Sequence, residues 1–147
     1  MSTNIEWALV ADGGRARLFE RHLPAGPWRE RTDDELEATN PPSREHGTDR
    51  LGRVHESATT ARHAVEPRTD PHRAAKTDFA TRLATRLEGT ASSFERLLLV
   101  APPSFLGDLR ASLGEATRRK LYGTLDKDLT HAPLADVAAQ LEAVRRA

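Results

Sequence analysis

Within the segment NPPSREHGTDRLGRVHES, Asn40 to Ser57, one short stretch carries most of the chemistry: Asp49, Arg50, Gly52, Arg53 and His55. Guanidinium groups present planar donors that grip phosphate or carboxylate. Gly52 lets the backbone turn tightly between the two arginines. These five residues are the binding candidates, and the chemistry they offer is recognition rather than bond breaking. The same residues also have a plain structural use, in which Asp49 and the arginines anchor a polar loop by ion pairs and turn contacts. No side chain of the chain is assigned a catalytic role.

A second set is acidic. Asp12 follows the first apolar run, while Asp126, Lys127 and Asp128 follow the last short one. If those ends converge, two or three carboxylates could hold a divalent ion for phosphodiester cleavage. The competing uses are local: Asp12 in its own turn, and Asp126 and Asp128 capping the next helix. Four histidines, His46, His55, His63 and His72, fall in or beside the polar segment, but their spacing matches no compact ligand set. No metal and no cofactor is therefore expected. Arg118-Arg119-Lys120 is a short basic cluster, either a solvated helix face or an RNA contact. Ser104 follows a strand, but PPSFLG is not the elbow of a serine hydrolase, and helix capping is its expected role.

The elements that must position these residues are legible in the pattern. Ile5 to Ala11 and Ala16 to His22 are strand-like runs around Asp12-Gly13-Gly14, which predicts a β-hairpin with glycine free to take positive φ. A weaker, polar third strand is expected to start at Trp28 and run through RERTDDELEA, at a sheet edge. The polar segment from Thr39 to about Pro71 is too long for an ordinary connection. After Asp70-Pro71, the recurrence of Phe79, Leu83 and Leu87 with Ala75, Ala80 and Ala84 predicts a helix ending at Gly89. Leu97 to Ala101 reads as a central strand covered on both faces. Phe105, Leu106, Leu109 and Leu113 form the buried stripe of a following helix, and EATRRKL adds a turn or two. A strand over Leu121 to Leu125 and a last helix from Thr130 to Pro133 onward, with Leu134, Val137, Leu141 and Val144 inward, complete the chain.

Three antiparallel strands followed by helix, strand, helix, strand, helix predict an α/β fold. It is a mixed five-stranded sheet of ribonuclease H-like type, an antiparallel meander followed by right-handed β-α-β crossovers, flanked by helices. At 147 residues one domain is expected. Basic and acidic residues each total 22, so no net field draws the chain to nucleic acid or membrane. Arginine far outnumbers lysine, which leaves room for a local phosphate-binding face. The absence of cysteine excludes disulfides and thiolate metal sites. No apolar run reaches membrane-spanning length, and no signal peptide is recognisable. A cytoplasmic location is the expectation.

WALVADGGRARLFER, TDRLGR, FATRLATRL, LLLVAPPSFLGDLRASL and LDKDLT, in that order, resemble the bacterial family of proteins required for attachment to host cells. The pattern is also similar to the middle domain of archaeal and eukaryotic peptide-chain release factors and of Pelota. That second resemblance implies a loop between the third strand and the first long helix that enters the ribosome and carries Gly-Gly-Gln for peptidyl-tRNA hydrolysis. Here the matching loop contains no glutamine, and Gln140, the sole glutamine, lies in the last predicted helix. The resemblances thus imply a non-enzymatic binding protein, with the ribosome or structured RNA as partner. The alternative is a hydrolase, acting on peptidyl-tRNA or as a metal-dependent nuclease. A second copy could pair along the exposed third strand.

Overall fold

The computed structural model describes residues 4–32 and 71–146. Alternation in IEWALVA and ARLFERH builds β1 (Ile5–Ala11) and β2 (Ala16–His22), an antiparallel hairpin in register from Ile5 opposite His22 to Ala11 opposite Ala16. The turn is not made by glycine in a left-handed conformation, since no described glycine has positive φ. Instead the Asp12 carboxylate accepts hydrogen bonds from the N–H groups of Gly14 at 2.8 Å and Arg15 at 2.9 Å. An aspartate bonding its own following backbone closes a turn without that conformation.

The third strand, β3 (Arg29–Arg31), is shorter than expected within the described residues and pairs with β2 as an edge. α1 (Pro71–Gly89) buries Phe79, Ala80, Leu83, Ala84 and Leu87. After one turn of 3-10 helix comes β4 (Arg96–Val100), then α2 (Pro103–Ser112), α3 (Glu115–Lys120), β5 (Leu121–Leu125) and α4 (Leu134–Arg146). β4 lies parallel to β1, and β5 parallel to β4, so the sheet order is β3-β2-β1-β4-β5. This is a mixed five-stranded sheet flanked by helices.

Strand alternation separates two apolar layers. Trp7, Leu9, Leu18, Leu97 and Leu99 face α1 and α2, where they meet Phe79, Leu87, Phe105 and Leu109. Ala8, Val10, Phe19, Leu98 and Val100 face α4 through Val137 and Leu141. β4 is covered on both sides as its unbroken apolar run requires.

One helix cap and one inward residue differ from expectation. α2 begins at Pro103 with Pro102 ahead of it and no side-chain cap, and Ser104 is exposed. Proline at the first helical position has no N–H to satisfy and a preset φ, so the serine is not needed there. α4 begins at Leu134, which is exposed rather than inward, while Val137 and Leu141 are buried and Val144 packs beside them.

α3 receives its cap from a distance. The Glu88 carboxylate, near the end of α1, accepts hydrogen bonds from the N–H of Ala116 and from the N–H and hydroxyl of Thr117. A β-carbon added at Gly114 would collide with the Glu88 side chain, so the glycine there makes room for the cap. The Thr117 hydroxyl and then the two backbone donors hold the Glu88 carboxyl below its ordinary range. Because the folded state has the lower pKa, this stabilisation is complete above the ordinary carboxylate range and is lost as pH falls through the folded value. Glu88→Gln should therefore flatten the acid limb of the stability profile, measured as urea midpoint against pH. A profile unchanged by the substitution would remove Glu88 from that role.

Candidate functional site

β1, β4 and β5 run in one direction, so their carboxyl ends share one side of the sheet. In open α/β sheets ligands bind beyond such ends. Asp12 follows β1 there, and the segment Asp126 to His131 follows β5. Their convergence is closed by Thr130, which belongs to no recognisable motif and is fully buried. Its hydroxyl lies 3.0 Å from one Asp12 carboxylate oxygen and 2.9 Å from Asp128 Oδ1. Asp128 Oδ1 also accepts the Thr130 N–H at 3.2 Å. One hydroxyl carries one proton, so Thr130 donates to one carboxylate at a time.

Arg17 fixes the same loop from β2. One of its terminal nitrogens donates to the carbonyls of Leu129, Thr130 and Ala132, the last at 2.7 Å. The rest of the fork grips both oxygens of Glu30 on β3, at 3.0 and 2.9 Å. Arg15 lies 3.2 Å from His131 Nδ1. Arg17 was hidden in the sequence by its place in an alternating strand, where a charged residue reads as solvent-facing. Thr130 was hidden in the short polar run DKDLTHAP.

The expected acidic convergence is thus realised by Asp12 and Asp128 alone. Asp126 and Lys127 are exposed and take no part in the cluster. Among the described residues no group of three His, Asp or Glu side chains could hold a metal ion. The Asp12 carboxylate serves the hairpin turn and Thr130, and Asp128 braces the loop before α4 rather than the helix N-terminus itself. This arrangement locks two chain segments, 12–15 and 128–132, into one rigid edge.

The basic cluster is partly engaged by the chain's own carbonyls. Lys120 donates to the carbonyls of Ala91 and Phe94, and Arg118 to that of Leu113 at 2.9 Å. Arg118 and Arg119 are exposed, the latter paired with Glu115 one turn earlier. Asp49, Arg50, Gly52, Arg53 and His55 lie outside the described residues, as do His46, His63 and the continuation of the third strand beyond residue 32.

The residues on either side of that stretch are described, and both lead to the same end of the sheet. β3 runs in the direction of β1, with Arg31 level with Leu18 and hence with Leu9. Early in α1, the Lys76 side chain lies against Gly13, in the hairpin turn just past β1. The carboxyl end with its Asp12–Thr130–Asp128 brace is therefore where the chain leaves and re-enters the described body.

Among the described residues no helix is long and apolar enough to cross a membrane. No curated protein matches the chain. The family described as "Protein required for attachment to host cells" matches over residues 7–141. The chain belongs to that family of host-attachment proteins.

Proposed function

We propose that this host-attachment protein works in the cytoplasm as a binding protein rather than an enzyme. It presents the segment from Asn40 to Pro71 to a macromolecular partner, the ribosome or a structured RNA. In this reading Arg50 and Arg53 meet phosphates, and Gly52 lets the backbone approach. The family's role in attachment then follows from this binding rather than from adhesion by the protein itself. The body, on the same reading, is of ribonuclease H-like type and akin to the middle domain of release factors.

One observation supports this reading above the others. The described residues on either side of the arginine-bearing segment, the end of β3 and the start of α1, lie at the same braced edge of the sheet. Binding residues are disproportionately carried by connections that a rigid scaffold positions. The two carboxylates that could have served a metal are instead engaged with backbone N–H groups and Thr130.

Filter binding of tRNA and of ribosomes, titrated over salt, tests it. Affinity should fall steeply with salt, with about 0.7–0.9 of log–log slope for each phosphate neutralised. Arg50→Ala/Arg53→Ala should reduce the slope by roughly 1.4–1.8 and weaken binding to all sequences alike. Binding that ignores salt would contradict the reading. Release of labelled peptide from peptidyl-tRNA would instead favour a hydrolase.

A further inference from the structure

The two edges of the sheet are unlike. β3 is three residues long and reads Arg29-Glu30-Arg31, short and charged, the usual protection of an edge against stray pairing. β5 reads Leu121-Tyr122-Gly123-Thr124-Leu125, with no charge and no proline. Among the described residues, its one strand partner is β4. The register between β4 and β5 shifts at Leu121 and then runs regularly from Gly123 to Leu125. The Leu125 carbonyl accepts the N–H of Ala101, on the β4 side. Alternation along a strand therefore turns the backbone groups of Thr124 outward. Tyr122 is 44% exposed, one of the two large apolar residues left exposed on the described surface, and the Arg96 guanidinium sits 4.2 Å over its ring.

The charges beside this strand differ in sign at its two ends. Arg118-Arg119-Lys120 precedes it and Asp126-Lys127-Asp128 follows it. We infer that β5 pairs antiparallel with β5 of a second copy of this chain, about a twofold axis at Gly123. In that arrangement Tyr122 stands opposite the second copy's Thr124, and Leu121 opposite its Leu125. The basic end of each strand meets the acidic end of the other. Arg119 and Asp126, both exposed, flank the paired strands at opposite ends, so the Arg119 of each copy comes within one position of the Asp126 of the other. A parallel pairing would oppose like charges at both ends, so the end charges select an antiparallel partner. Two five-stranded sheets become one continuous sheet. The third strand, the edge first expected to pair, is the protected one.

Sedimentation velocity of the full chain, from low micromolar to near-millimolar concentration, reads the self-association. Wild type should form a dimer whose dissociation rises with salt. Thr124→Pro removes an outward donor without touching the β4 ladder and should weaken the dimer by about tenfold or more. Arg119→Glu alone and Asp126→Lys alone should each weaken it. Mixed one to one, those two variants should form a heterodimer, because every strand end then meets its opposite charge. Recovery on mixing also shows that both variants are folded. A chain that stays monomeric throughout, or a dimer indifferent to Thr124→Pro and to mixing, overturns the inference and leaves the edge to a foreign strand.

Discussion

Arg21→Ala should lower the unfolding free energy by about 3–5 kcal/mol, the usual cost of removing one partner from a buried ion pair. Arg21 on β2 and Glu6 opposite it on β1 are 2% and 0% exposed at their side chains, with Arg21 Nε donating to the Glu6 carboxylate at 2.9 Å. The same guanidinium also donates to the Pro24 and Gly26 carbonyls and lies over the Trp28 ring. Truncation would thus strand a buried carboxylate and loosen the turn from β2 to β3 together. The contact with Glu142 is secondary, since that side chain is 39% exposed and solvent screens it. The mechanism predicts non-additivity: Glu6→Leu/Arg21→Met should be less destabilised than Arg21→Ala alone, read as urea midpoints. If the double variant is the worse of the two, burial of the charges is not the origin of the effect.

Arg17→Ala should cost about 2–4 kcal/mol, because three carbonyls of the loop before α4 lose their donor and Glu30 loses its fork. The change should also be local. Hydrogen exchange should accelerate in Leu129 to Ala132 and in β3 before it does in β1 or β4, since the stripped contacts join those two elements to β2. Uniform acceleration across the sheet would mean that Arg17 supports the whole core instead. Arg17→Lys should recover little, because an ammonium lacks the planar fork that holds both Glu30 oxygens.

Both hairpin strands and β5 could be delimited from residues alone, because alternation in ARLFERH and apolar character in LYGTL are local signals. The turn between β1 and β2 was legible as a turn but not in its mechanism. Gly13-Gly14 drew the reading toward positive φ, whereas Asp12 does the closing through its carboxylate. The cap assigned to Ser104 failed because Pro103 opens α2 and makes a side-chain cap unnecessary, while α4 starts where expected but leaves Leu134, in its first turn, exposed. The convergence of Asp12 with Asp128 was foreseeable from topology, since parallel strands bring their carboxyl ends together. That a buried threonine would close it was not, because nothing in DKDLTHAP distinguishes a satisfied hydroxyl from a solvated one. Likewise Glu88 and Thr117 lie far apart in sequence, and a cap supplied across that gap leaves no local trace.

The account turns on which end of the chemistry is active, the arginine-bearing segment or the braced carboxylates. Salt-titrated binding to ribosomes and tRNA, run side by side on Arg50→Ala/Arg53→Ala and on Asp12→Asn/Asp128→Asn, separates them most directly. Asparagine keeps the turn-closing oxygen and removes the charge, so the second variant should bind as wild type does, while the first loses affinity and salt slope together. The reverse pattern, with binding or peptide release abolished by the asparagines and untouched by the alanines, would contradict the account.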